Sequence, residues 1–175
     1  MSQTKQIIHS TALLDGDIKL GTDVVIHPHA VLAGDITIDD GSVIGAGVHI
    51  FGKVRMGKDC RIQSHCFIPG GTIIEDDVFM GPGVMILNDK FPPSKGKHWR
   101  PVIIRLGVSI GGGSVISPGV EIAHNVLVGA ASHVLKSVLV PNVIVFGNPV
   151  THMSERLSSD KAAEVEIEKK KEKVP

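Results

Sequence analysis

The sequence predicts an all-β solenoid, a parallel β-helix, and three observations carry that prediction. The first is a period of six. Counting in sixes from Ile8 gives Leu14, Leu20, Ile26, Leu32, Ile38, Ile44, Ile50, Met56, Ile62, Ile68, Ile74, Met80 and Ile86, all of them Ile, Leu or Met. The count resumes in phase at Ile104 and continues through Ile110, Ile116, Ile122, Val128, Val134, Val140 and Phe146. With 42% apolar residues as background, so long a run is not chance. The second observation is a companion set two positions earlier, mostly small: Ala12, Val24, Ala30, Ser42, Val48, Val54, Cys60, Cys66, Thr72, Val78 and Val84. The third is Gly and Asp recurring between the anchors, as in Asp15-Gly16, Asp40-Gly41, Asp76-Asp77 and Gly111 to Gly113, where turns need unusual backbone angles. A helix has a period near 3.6 and a strand a period of 2. A strict six fits neither alone and marks a β-helix of six-residue rungs.

In such a fold each rung is a short strand and a turn, three rungs close one triangular coil of about eighteen residues, and coils stack at about 4.8 Å. The anchors make about seven coils, a prism roughly 35 Å long. Few aromatics and twenty glycines suit a narrow core with many corners.

Taken in order, residues 1–7 are a polar lead-in and residues 8–86 are prism. Residues 87–103 break the rhythm and shift to Pro, Lys and Gly, with the only Trp of the chain. A long loop in a regular solenoid is usually functional or disordered. Residues 104–148 are prism again, and Pro149 ends it. The expected organisation is a β-helix domain over residues 1–150, with its loop at 87–103, then a short C-terminal helix and charged tail over 151–175. Ser154 or Ser159 would cap a helix over Asp160 to Lys173, placed to cover the open end of the prism.

Eighteen basic and eighteen acidic residues balance, which argues against a broad nucleic-acid footprint. No N-terminal signal pattern and no long apolar run appear, so a cytoplasmic protein without membrane contact is expected. Cys60 and Cys66 fall on inward positions and read as small buried hydrophobes.

Three segments resemble the hexapeptide-repeat acyltransferase superfamily. They are Arg61-Ile62-Gln63-Ser64-His65-Cys66 followed by Gly81 to Asp89; Pro101 to Ile104 with Ile110 to Ile122; and Val128 to Lys136 with Pro141 and Gly147-Asn148-Pro149. The first is closest in pattern to nucleotide-sugar N-acetyltransferases, in which an Asn lies just after an aliphatic anchor at the base of a protruding loop. The resemblance implies a left-handed β-helix, an exception to the usual right-handed crossover. It also implies a homotrimer, acetyl coenzyme A as acyl donor lying along the prism between subunits, and an amino sugar linked to a nucleotide as acceptor. Relatives often follow Gly-Asn-Pro-Ala with Lys or Arg, whereas Val150 and Thr151 stand here. Many also carry an aromatic where Ser109 stands.

On that resemblance, Gly111, Gly112, Gly129, Ala130 and Ala131 let the pantetheine arm approach the backbone, and Lys136 pairs a phosphate. The same Gly and Ala residues also serve as plain turn formers. Asn88 is the foremost catalytic candidate, because its amide can accept from an attacking amine or donate to the substrate. An amine needs less help from a base than a hydroxyl, so positioning can carry much of the rate. Asp89 would hold the substrate ammonium or brace the loop. His65 and His98 are the candidate bases. Gln63, Trp99 and Arg100 are candidate substrate contacts, with Trp99 stacking a base or packing on the next subunit. His9 and His27, eighteen apart, suggest a surface ladder. His29, His49, His124, His133 and His152 read as surface groups.

Three alternatives stay open on the sequence: O-acetyl transfer with His98 as base, a γ-type carbonic anhydrase, and a non-catalytic scaffold. The second asks for three histidine ligands. Gln63 and His65 faintly match, but Gly81 to Ile86 supplies no paired histidines, so no metal is expected. A bare scaffold would not require the 87–103 loop.

Overall fold

The computed structural model describes residues 7–156. Among them every regular element is a β-strand. The repeating rung is two residues long, as in Val25–Ile26, Val43–Ile44 and Arg61–Ile62. Its second residue is the anchor and points into the prism. The residue two before the anchor also points inward, so Val24 and Ile26, or Cys60 and Ile62, are buried together. Strands from successive coils pair in parallel and in register, Ile8 to Ile26 to Ile44 to Ile62 to Met80. The amide after each anchor donates to the anchor carbonyl of the next coil, as from His27 to Ile44 (2.9 Å) and from Gly45 to Ile62 (2.7 Å). Backbone pairing thus runs along the prism axis while side chains fill its interior.

The prism has three faces. The first is built of Ile7–Ile8 and its seven parallel successors, ending with Val143–Gly147. The second and third are joined in the lower coils, where Leu13–Leu20, Val31–Ile38 and His49–Met56 each run unbroken around the edge between them. Gly16, Gly34 and Gly52 make that bend possible. Each has positive φ, and a Cβ on Gly16 or Gly34 would lie 2.4 Å from the carbonyl oxygen of the next glycine in the column. In the upper coils the two faces have separate short strands.

The eight parallel strands of the first face show where a count of seven coils falls short. Seven coils are complete, and an eighth contributes one strand. The six-residue phase also fails at the top. Val140 and Phe146, expected as anchors, are 52% and 44% exposed. Val138 pairs with Ile122 and Val145 with Val128, and both are buried. The last coil is shortened, so the inward positions move off the count.

The loop explains why the phase survives its interruption. The turn between Phe67–Ile68 and Ile73–Ile74 has four residues, 69–72. The equivalent turn one coil later is residues 87–102. The twelve added residues are two periods, so Ile74 pairs Ile104 and Ile86 pairs Ile116 in phase. The loop ends slightly earlier than expected, with Val102 buried and Ile103 in a strand.

At the top, Val150–Glu155 forms a strand antiparallel to Val143–Gly147, where a helix and tail were expected to begin. Its reversal ends the parallel stacking. Arg156 fastens it, donating to the Asn125 carbonyl at 3.0 Å. The helix expected over Asp160 to Lys173 lies outside the described residues.

Candidate active site

The column of small residues at the edge between the second and third faces runs Gly16, Gly34, Gly52, Gly70 and then Asn88. Asn88 is therefore the first residue of that column with a functional side chain, and it stands where the chain leaves the prism for the loop. Its Nδ2 donates to the Gly70 carbonyl at 3.0 Å, one coil below. A carbonyl only accepts, so the nitrogen must face it and the orientation of the amide is fixed. No described residue bonds Oδ1, and it is not a buried unpaired atom. The Asn88 carbonyl accepts from the Arg100 amide at 2.7 Å, which closes the loop across its base.

Asn88 lines a cavity of about 360 Å³ with Phe51, Gly52, Phe67, Pro69, Gly70 and Trp99. Phe51 and Phe67 face each other with centroids 6.1 Å apart. The bare backbone of Gly52 and Gly70 forms the floor. No titratable side chain lines this cavity.

Asp89 supports the loop. Its Oδ1 accepts from the Phe91 amide (3.1 Å) and its Oδ2 from the Ser94 amide (2.9 Å), and its backbone bridges to Trp99. Desolvation pushes its carboxyl up, but those amide donors, the Ser94 hydroxyl and nearby His98 outweigh it and hold it below the ordinary value. His98 does not line this cavity, and its ring stands edge-on to Phe91 at 5.4 Å. Arg100 links the loop to the next coil, its carbonyl accepting from the Gly119 amide at 3.2 Å, and its guanidinium reaches the Trp99 carbonyl at 3.3 Å.

The other predicted residues fall elsewhere. His65 lies on the edge between the first and second faces, in a left-handed conformation. It lines a cavity of about 450 Å³ with His29, His49, Gly47, Cys66, Phe67 and Met85. Gln63 lines a smaller one, about 230 Å³, on the other flank of that edge beside His27. His9 bonds Thr11 through Nδ1 (2.9 Å to Oγ1).

Gly111, Gly112, Gly129, Ala130 and Ala131 occupy the same edge in higher coils, and packing is tight at three of the glycines there. A Cβ on Gly111 would lie 2.4 Å from the Ala130 nitrogen, on Gly112 3.0 Å from the Pro82 carbonyl oxygen, and on Gly129 2.8 Å from the Phe146 Cβ. Gly83 and Gly113 differ, because a Cβ there meets nothing within 4 Å. They leave open space along the edge. Lys136 stands apart, lining an apolar cavity of about 410 Å³ with Leu135, Val138, Pro149 and Met153. Among the described residues no three His, Cys, Asp or Glu side chains are grouped to hold a metal.

The walls Phe51 and Phe67 escaped the sequence reading. Their signal was available: each flanks an anchor at an outward position, where a prism open to water favours polar residues. Cys60 and Cys66 are buried and unpaired, and burial pushes both thiols up to about 11.

The comparisons with known proteins point the same way. A family model described as "Bacterial transferase hexapeptide (six repeats)" matches residues 17–52. No curated protein matches the sequence. A hexapeptide-repeat acetyltransferase from Vibrio cholerae O1 biovar eltor, solved with acetyl coenzyme A, is similar with TM-score 0.57 and 26% identity over 67% of this chain and 69% of that one. AntD, an N-acyltransferase from Bacillus cereus solved with dTDP-4-amino-4,6-dideoxyglucose and coenzyme A, is similar with TM-score 0.59 and 25% identity over 94% of this chain and 91% of that one. A GDP-perosamine N-acetyltransferase from Caulobacter crescentus shares the fold at 20% identity, with TM-score 0.55 over 85% of this chain and 56% of that one. The chain thus carries the bacterial transferase hexapeptide repeat over residues 17–52, and in fold it is similar to hexapeptide-repeat acetyltransferases and N-acyltransferases solved with acetyl coenzyme A or coenzyme A.

Proposed function

We propose that the protein transfers an acetyl group from acetyl coenzyme A to the amine of a nucleotide-linked amino sugar, with the acceptor amine beside Asn88. One observation carries this reading. The Asn88 amide is fixed by the Gly70 carbonyl, and the cavity it lines holds no acid or base. An amine acceptor suits such a site. The neutral amine carries its own lone pair, and Asn88 Oδ1 can accept one of its N–H bonds and aim it. A hydroxyl acceptor asks for a base, and His98, whose ring packs edge-on to Phe91, does not line the cavity.

The donor supplies an activated acyl group. The C–N bond forms as the C–S bond breaks, the sulfur leaves as the thiolate, and the proton lost by the amine passes through water to that sulfur, giving the free thiol. The open strip beside Gly83 and Gly113 suits an extended pantetheine arm, and backbone groups of Gly111, Gly112, Gly129, Ala130 and Ala131 border it. Phe51 and Trp99 offer flat apolar surface to the acceptor, while Arg100 and Gln63 stand on the two edges bordering the second face. Asp89 holds Trp99 in place by bracing the loop.

The same reading has the chain act as a homotrimer. Its support is a contrast between faces. Outward positions of the second face carry Leu13, Val31, His49, Phe67, Met85, Val115 and His133, with no Lys, Arg, Asp or Glu, whereas the third carries Lys19, Thr37, Arg55, Ile73, Ile103 and Glu121. A face free of Lys, Arg, Asp and Glu suits a subunit boundary with its cavities left open between the chains.

The test is a thiol-release assay with acetyl coenzyme A and a panel of nucleotide-linked amino sugars. Release above background with at least one amino acceptor is the expected result. Coenzyme A binding with background transfer to every amino sugar would overturn the acceptor class.

A further inference from the structure

We propose that the cleft lined by His29, His49 and His65 binds the diphosphate of the nucleotide-linked acceptor, an assignment that rests on the acyltransferase reading above. Four observations support it.

The three imidazoles line one cavity, and no described residue hydrogen-bonds any of the three rings. Their N–H groups are available to a ligand, one donor from each neutral ring and two from a charged one.

The whole edge lacks carboxylates. Residues 9–12, 27–30, 45–48, 63–66, 81–84, 111–114 and 129–132 contain no Asp or Glu. The edge between the third and first faces carries Asp23, Asp39, Asp40, Asp59, Glu75, Asp76 and Asp77. An anion meets no like charge at the first of these edges, and imidazole donors strengthen toward an ionised acceptor.

His29 and His65 occupy left-handed positions, φ +60° and +62°, which the acidic edge fills with Asp, Asn and Gly. The backbone asks only for tolerance of that conformation, so it does not explain imidazoles. Between them Gly47 is bare, and the His65 ring lies over it; a Cβ there would stand 2.6 Å from Nδ1. The cleft is shaped around that ring.

Finally, the cleft and the Asn88 cavity share Phe67 as a wall. The His49 ring meets Phe51 edge-on at 5.8 Å, so one surface leads from the imidazoles to Asn88. An acceptor with its amine at Asn88 and its phosphates toward the histidines follows that surface.

The experiment is calorimetric titration of the full chain with uridine diphosphate, thymidine diphosphate, the corresponding nucleosides and coenzyme A. Variants are His29→Asn and His65→Asn, which keep a residue tolerant of the left-handed conformation, and His49→Gln on the strand. His49→Gln alters no turn, so it remains informative if an edge variant unfolds. The expected result is that a nucleoside diphosphate binds the wild type and weakens tenfold or more in the combined variant. The nucleosides and coenzyme A should be unchanged. Diphosphate affinity within twofold of wild type in a folded combined variant would overturn the proposal. So would loss of coenzyme A binding alone, which would give the cleft to the donor's diphosphate. Wild-type protein that binds coenzyme A but no nucleoside diphosphate overturns the proposal and leaves acyl transfer standing. Failure to bind coenzyme A would instead sink the acyltransferase reading.

Discussion

Two edges of this prism share a backbone and differ in nearly everything else. At the edge between the third and first faces, left-handed positions carry Asp23, Asp59, Asp77 and Asn125, with Gly41 and Gly107. The acids there serve the fold. Asp40 accepts from the Thr22 amide and Asp76 from the Lys58 amide, both at 2.8 Å. Those bonds hold one coil to the next. At the edge between the first and second faces the equivalent positions carry His29, Gly47, His65, Gly83, Gly113 and Ala131. Acids are absent there and open space appears at Gly83 and Gly113. The turn demands only a tolerant residue, so where residue types depart from the minimum the chain is doing something besides folding.

That comparison can be broken at several points. The largest effect should come at the loop base. Asn88→Ala removes the amide from the cavity and should cut acetyl transfer by about 10²–10³-fold, the scale for losing one positioned polar group. Near-normal thermal unfolding is expected, and a rate within threefold of wild type would remove Asn88 from the chemistry.

Next in size is a core anchor. Ile62 is buried in a central coil, and Ile62→Ala should destabilise by about 2–5 kcal/mol in denaturant titration. A loss under about 0.5 kcal/mol would mean that the anchors are not the core.

The glycines offer a sharper contrast. Gly111→Ala drives a Cβ into the Ala130 backbone, whereas Gly113→Ala faces open space and meets only the left-handed penalty, about 1–2 kcal/mol. Gly111→Ala should be the more destabilising, and Gly113→Ala should weaken coenzyme A binding more than its stability loss accounts for. The reverse order would show that close packing does not set the edge.

Cysteine reactivity should be nearly silent. With both thiols pushed up to about 11 by burial, alkylation at neutral pH should occur only after unfolding. Fast labelling of the native protein would contradict the burial.

The smallest effect concerns pH. Partial burial raises the Glu75 carboxyl, but bonds from Arg105 (2.7 Å) and the Leu106 amide (2.8 Å) outweigh it and hold it below its ordinary 4.5. A depressed carboxyl contributes stability that is present above its unfolded value and lost as pH falls through its folded one. Glu75→Gln should therefore lower stability slightly at neutral pH and by less as pH falls below 4.5. An equal loss at every pH would assign the residue a purely packing role.

Much of the architecture was legible in the sequence because one periodic signal covers most of it and each anchor has a single place to go. Ile8 to Ile86 land in register as counted. The count failed where the solenoid stops repeating. Val140 and Phe146 belong to a shortened coil, and a strand reversal such as Val150–Glu155 has no six-residue signature. The candidate site was harder to read. Asn88 stood out because it sits at the loop base, but Phe51 and Phe67 join it only through stacking of coils eighteen residues apart. The cluster of His29, His49 and His65 is likewise invisible to a reading that takes each histidine alone.

The central claim is that Asn88 serves an acceptor that needs no base. The most direct test compares two acceptors differing only at the reacting group, a nucleotide-linked amino sugar and its hydroxyl analogue, under identical acetyl coenzyme A. The account predicts that the amine is acetylated, that the hydroxyl stays at background, and that Asn88→Ala abolishes the difference. Transfer to the hydroxyl at a comparable rate, or an amine rate indifferent to Asn88→Ala, would contradict it.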